Sequence, residues 1–318
     1  MNKKLLIFLR LIVTVAVLFA LFKFIPYKNL VEIYKNSHKG YIIFSFFIFV
    51  CCYITAVLRW KFLLSSLGIR ISLREAVYSY FSGIFFNLFF PSFVAGDIFR
   101  GFSISYRYGE PAKVASSVLL DRFSGSIALI LLAVSSYIFG RNIVGLKVIG
   151  IPLLVLSFAG GVAFLAIFNK SFFLFLMKIF KKNSLLREKL LSFHDQLYFF
   201  AKNPNIFIKS LFYSFPIQIL TCLGFFISAK AFDVHLGLLC FLILVPIIMA
   251  IALIPITIAG AGTREASAIY FFSLVGIDKS VSLSISLVNL IFTISMGILG
   301  GIFYVAIYYR WLQCRAQN

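Results

Sequence analysis

Seven stretches of this chain are apolar over lengths that bear on a bilayer: residues 5–22, 41–58 (extendable to 64), 123–140, 148–168, 210–229, 236–263 and 280–309. A spanning helix needs ~20 apolar residues. Inside hydrocarbon every backbone N–H and C=O must find a partner within the protein, which leaves helices or closed barrels as spanning forms. Runs this long select helices. Composition agrees. Hydrophobic residues make up 62% of the chain and charged residues 13%, against roughly 45–50% and ~25% in soluble domains. So little polar surface cannot coat a water-soluble globule, which excludes a soluble enzyme. The same apolar content excludes disorder.

Lys and Arg number 30 against 10 Asp and Glu, a net charge of +20. An excess of this kind suggests nucleic acid when it is clustered on a soluble face. Here the basic residues sit between apolar runs, the pattern of cytoplasmic loops in membrane proteins, so nucleic acid is not an expected partner. Met1 to Pro26 resembles a signal peptide, with Lys3 and Lys4 before an apolar run. No small-x-small cleavage site follows, and the segment reads as an uncleaved first membrane helix. The five Cys and three His show no metal spacing; neither a metal nor a cofactor is expected.

Two segments match at identical spacing. Residues 91–100 read PSFVAGDIFR and residues 255–264 read PITIAGAGTR, both Pro-x3-Ala-Gly-x3-Arg. Each follows an apolar helix, 72–90 or 237–254, and each of those follows a longer one, 41–64 or 205–229. The chain reads as one integral membrane domain, 1–318, with duplicated halves at roughly 41–140 and 205–309. Residues 170–209 carry eight Lys and Arg and read as a cytoplasmic connector, with a surface helix over 185–202 and Pro204 opening the next span.

The distribution of positive charge sets the topology. With the N-terminus inside, 72–110 dipping from the inside and 236–278 dipping from the outside, 21 Lys and Arg lie inside and 9 outside. Both termini then face the cytoplasm of a multi-pass protein in the cytoplasmic (inner) membrane. Helix 41–64 runs inward and its counterpart 205–229 outward, so the repeats are inverted. The fold expected is an all-α polytopic membrane bundle of about 6–8 spans with two re-entrant or broken helical hairpins, an architecture that places sites near the midplane. In a rival arrangement 236–254 and 265–276 both cross fully, giving about eight spans.

The candidate chemistry lies at the two breaks. Pro91 and Pro255 end a helix, because proline lacks a donor and clashes with the preceding turn. Gly96, Gly260 and Gly262 permit close backbone approach or unusual turns. A helix restarting after each glycine would point free N–H groups into a cavity and attract anions. Arg100 and Arg264 would sit in its first turns, with guanidinium groups suited to phosphate. The alternative is a pair of tight surface loops whose arginines meet lipid phosphates nonspecifically. Asp97 either caps a helix beginning near Gly96 or pairs with Arg100 at i, i+3. Glu265 follows Arg264 directly, ~100° away around a helix, so its partner is expected elsewhere, at Arg122 or Arg100. Arg122 either snorkels to headgroups or forms the cavity floor. Asn87 and Asn289 are candidates to line the cavity.

The segments FPSFVAGDIFRGFSI, SVLLDRFSG and PITIAGAGTREASAIYFFSLVGI resemble the membrane domain of lysylphosphatidylglycerol synthases, whose stand-alone homologues are called flippase-like proteins. The resemblance runs from about 40 to 310. Asp97, Arg100, Arg122 and Glu265 match the family pattern. Ala95-Gly96 replaces a common Gly pair, Asp121 replaces a usual Glu, and Thr263-Arg264 precedes Glu265. The cytosolic aminoacyl-transferase domain of the full synthase is absent from this sequence, so lysyl transfer is not implied. The resemblance implies lipid translocation, or an accessory step in lipid or lipid-linked glycan handling; with the arginines at the two breaks, the expected substrate is an anionic phospholipid or polyprenyl-phosphate lipid whose phosphate the arginines hold. A non-enzymatic translocase is therefore expected; the alternatives are a membrane-embedded lipid-modifying transferase, or an accessory protein or small-anion carrier.

Overall fold

A computed structural model describes residues 27–89, 93–140, 146–177, 198, 200–253, 257 and 260–316. Run 5–22, Pro91, Pro255 and most of the 185–202 segment lie outside the described residues. Among the described residues there is no strand. The helices are α1 (Tyr27–Asn36), α2 (Lys39–Ser66), α3 (Leu73–Phe89), α4 (Phe93–Tyr108), α5 (Pro111–Gly140), α6 (Leu146–Phe168), α7 (Lys170–Leu176), α8 (Pro204–Lys230), α9 (Leu238–Ala252), α10 (Thr263–Ser273) and α11 (Lys279–Ala316).

Among the described residues, five segments are long and apolar enough to cross a membrane: Lys39–Ser66, Pro111–Gly140, Gly150–Phe168, Pro204–Lys230 and Lys279–Val305. The other helices of the two motifs are shorter. At 1.5 Å per residue, α3 and α4 reach only about 24–26 Å, α9 about 22 Å and α10 about 16 Å, against a hydrocarbon core of ~30 Å. At 11 residues, α10 falls well short of the ~20 that a spanning helix needs.

Burial is inverted relative to a soluble protein. Ile43, Phe47, Ile54, Leu154, Phe158, Ile298 and Ile302 are exposed, while Ser45, Ser124, Ser210, Ser214, Ser228, Ser286 and Glu265 are fully buried. In lipid the apolar faces lose nothing by pointing outward, and polar groups must pair between helices. Ser45 Oγ accordingly donates to the Gly224 carbonyl at 2.8 Å and lies 2.8 Å from Ser228 Oγ. Small residues permit the closest approaches. A Cβ on Gly300 would overlap the Phe81 carbonyl, and one on Gly297 would overlap Leu88. Gly160 likewise abuts Ile130, whereas Gly161 faces open space.

Packing partners are exchanged between the halves. α2 packs along α8, its counterpart in the second half. Their contacts run antiparallel, from Ser45–Ser228 through Cys52–Thr221 to Arg59–Ser214. α3 packs along α11, and α9 packs along α5. Each half thus lays the first short helix of its hairpin on the last helix of the other.

The foot of the α3–α4 hairpin is tied by side chains. The Ser72 N–H donates to Glu75 Oε2 at 2.8 Å, and the Glu75 N–H donates to Ser72 Oγ at 3.2 Å, a capping box. Glu75 also accepts from the Tyr108 hydroxyl at 2.9 Å and pairs with Arg107. Burial acts to raise the Glu75 carboxyl, but the Ser72 N–H, Tyr108 and Arg107 prevail and hold it below the usual carboxylate range.

Candidate functional site

The first hairpin brings α4 against α3 antiparallel. Phe86 and Phe99 stack with centroids 3.6 Å apart, and Ser79 meets Ser103 at 3.4 Å. At the crossing, a Cβ on Gly96 would overlap the Gly83 carbonyl. α4 starts at Phe93, three residues before Gly96. The expected restart after Gly96 is therefore corrected: this glycine serves backbone contact within a continuous helix. Asp97 lies inside α4 and pairs rather than caps. The Gly96 N–H donates to Asn87 Oδ1 at 2.8 Å.

Helical spacing puts Asp97 and Arg100 on one face of α4, turned towards Asp121 and Arg122 on α5. Arg122 holds Asp97 in a fork, Nε to Oδ2 at 2.7 Å and Nη2 to Oδ1 at 3.0 Å. Arg100 Nη2 reaches both acids, Asp97 Oδ1 at 2.9 Å and Asp121 Oδ2 at 2.9 Å. From α2, Arg59 Nε donates to Asp121 Oδ1 at 2.7 Å and Nη1 to Ser214 Oγ at 2.7 Å. Three guanidinium groups and two carboxylates form one cluster with one positive charge in surplus. Arg59, Asp97, Arg100 and Asp121 are buried, whereas the Arg122 side chain is 42% exposed.

Arg100 is the incomplete member. Its guanidinium carbon lies 4.8 Å from the Trp60 ring centroid and 4.7 Å from that of Tyr80. The residue is 2% exposed, yet Nε and Nη1 have no partner among the described residues. A buried donor left unsatisfied costs about 1–3 kcal/mol, and more when charged. Beside it is a cavity of about 140 Å³ lined by Tyr53, Tyr80, Asn87, Asp97, Arg122 and Thr293, among others. A second, larger space of about 630 Å³ lies between α4 and α5. It is walled by Ile98, Phe102, Val114, Val118 and Leu119 and also reaches Asp97 and Arg122.

The second hairpin is built differently. Gly260 and Gly262 have φ of +68° and +90°, backbone that glycine adopts without a Cβ clash, and α10 starts directly after Gly262 as expected. Glu265 Oε2 accepts from the Gly262 N–H at 2.6 Å. Its Oε1 accepts from Arg264 Nη2 at 2.8 Å, Arg264 Nε at 3.1 Å and the Ser286 hydroxyl at 3.2 Å. The expectation of a distant partner for Glu265 is therefore corrected. Its partner is Arg264, because Glu265 folds back onto the helix start and the long Arg264 side chain wraps around to meet it.

Arg264 and Glu265 have no ion pair with the first cluster among the described residues and do not line the 140 Å³ cavity. Asn87 lines the cavity as expected. Asn289 is buried and donates to the Ile285 carbonyl at 2.9 Å; Thr293, one turn further on, lines the cavity in its place.

Sequence reasoning passed over Arg59, Trp60 and Tyr80. The signal was present in one case. Arg59-Trp60 sits where the apolar run 41–58 extends to 64, and a charge within a spanning helix normally marks a paired or functional residue. Comparison with known proteins gives a family model described as the lysylphosphatidylglycerol synthase TM region, matching residues 7–301. No curated protein and no solved structure matches.

Proposed function

The chain belongs to the lysylphosphatidylglycerol synthase transmembrane family, membrane proteins of lipid handling, and from that premise we propose that it moves an anionic lipid between leaflets. The phosphate is held at Arg100, with Arg122 in support. One observation carries this reading: a buried guanidinium with two nitrogens, Nε and Nη1, unpartnered among the described residues beside a cavity, in a cluster with surplus positive charge. Guanidinium offers phosphate paired donors in a planar fork, and a dry site strengthens the attraction. Arg264 and Glu265 shape the second hairpin rather than hold the headgroup.

In this reading the α3–α4 and α9–α10 hairpins are re-entrant elements of an inverted repeat in the cytoplasmic membrane, with both termini inside. Their shortness and the exchanged packing of the halves support it. The lipid is an anionic phospholipid or a polyprenyl phosphate. No covalent step is proposed, because Asp97 and Asp121 are both engaged by arginine and neither is free to act as a base.

The test is leaflet exchange of a fluorescent anionic lipid in proteoliposomes. Arg100→Gln should reduce exchange to the protein-free rate while the protein remains folded. Undiminished exchange in the Arg100→Gln variant would refute the phosphate role.

A further inference from the structure

The two cavities share a wall, and that wall is charged. The larger space runs between α4 and α5, and its sides are apolar. Ile98 and Phe102 are each 64% exposed on it, although both are large hydrophobic side chains. It ends at the Asp97–Arg122 fork. The smaller cavity begins at the same fork and extends to Arg100. An apolar groove, an exchangeable ion pair and an unsatisfied guanidinium thus lie in sequence along one path.

Size limits what can occupy the inner end. A volume of about 140 Å³ is close to that of the roughly 150 Å³ cavity that takes one benzene, a group of six heavy atoms. A phosphate group, with five heavy atoms, fits that space. A sugar, or a glycerol bearing an amino acid, does not fit beside it. The cluster has one positive charge to spare, which a phosphate, carrying at least one negative charge near neutral pH, offsets.

Resting on the phosphate reading above, we infer that the ligand is a lipid monophosphate. Its hydrocarbon chain lies in the α4–α5 groove and its bare phosphate sits on Arg100. On arrival the phosphate takes donors of Arg122 from Asp97, which stays paired with Arg100. Arg122 is suited to this exchange because it is the most exposed member of the cluster.

Trp60, against Arg100, is a built-in reporter. The chain has two tryptophans, so Trp311→Phe leaves Trp60 as the single emitter. The full chain in maltoside micelles is titrated with dodecyl phosphate, dodecylphosphocholine and sodium phosphate while Trp60 emission is followed. Dodecyl phosphate should bind about tenfold or more tightly than sodium phosphate, since two or three buried methylenes already supply that factor, and more tightly than dodecylphosphocholine, which shares the chain but brings a choline group that the inner cavity does not hold beside the phosphate.

The groove is then filled by Gly101→Leu. A Cβ there meets Val114 and Val118 at an ordinary 3.7 Å, so the helix accepts it. Dodecyl phosphate affinity should fall to that of sodium phosphate, and sodium phosphate affinity should not change. Ala115→Phe fills the same groove from α5 and serves if the first variant does not fold. Equal binding of dodecylphosphocholine would overturn the monophosphate assignment. Unchanged dodecyl phosphate affinity in the filled variants would overturn the groove. In both cases a response that still requires Arg100 leaves the phosphate reading standing. A response to any phosphate that survives Arg100→Gln, or no response at all, removes both.

Discussion

Asp121 is 1% exposed and accepts from Arg59 at 2.7 Å and from Arg100 at 2.9 Å. Asp121→Asn keeps the shape but removes the charge, raising the surplus of the cluster from one positive charge to two. Breaking a buried pair by removing one partner costs about 3–5 kcal/mol, and two charge-assisted hydrogen bonds of ~1.5–3 kcal/mol each are weakened at once. A loss of about 3–5 kcal/mol is therefore expected. Arg59→Met should cost a similar amount alone, because Asp121 then loses its closest cation. The double variant, Arg59→Met with Asp121→Asn, should cost less than the sum by about 2 kcal/mol or more, since neither buried charge is then left without its partner. The assay is reversible unfolding in mixed micelles as the SDS fraction rises, followed by Trp60 fluorescence and circular dichroism. Costs that add to within ~0.5 kcal/mol would show that Arg59 and Asp121 are not coupled, and the cluster as described would be wrong.

Glu265→Gln should destabilise by about 2–3 kcal/mol in the same assay, less than outright removal, because the amide oxygen still accepts from the Gly262 N–H while the charge facing Arg264 is lost. Gly300→Ala should cost about 1–3 kcal/mol, because its methyl overlaps the Phe81 carbonyl and must part α3 from α11; thermal unfolding measures it. The Glu75 carboxyl is held below its ordinary value of 4.5, so its contribution is present above that pH and is lost as pH falls through the folded value. The gap in melting temperature between the natural chain and Glu75→Gln should accordingly be full at pH 7 and shrink as pH falls below 4.5.

The long helices were legible because the hydrocarbon core sets a length that a run either meets or misses. The two hairpins were legible because each motif pairs proline with glycine at a fixed spacing. Asp97, Arg100 and Arg122 were legible as charges where charges are expensive. Arg59 carried the same signal, but its pairing was not legible, because its partner Asp121 lies 62 positions away and only the packing of α2 on α5 brings them together. Glu265 was misread for a different reason. Ideal helical angles separate adjacent side chains, but in a first turn the backbone donors pull Glu265 back towards the helix start, where Arg264 can wrap onto it. The likeness of the two motifs also suggested one shared charged pocket. The first motif continues as helix through Gly96, while the second turns at Gly260 and Gly262, and the two arginines finish with different partners.

The central claim is that Arg100 holds a lipid phosphate. An experimental structure of the full chain in lipid nanodiscs, supplied with a long-chain alkyl monophosphate, tests it most directly. The account predicts phosphate density within about 3 Å of Arg100 Nε and Nη1, with hydrocarbon density leading away between α4 and α5. Density for water alone beside Arg100, or a side chain of the protein occupying that space, would contradict it.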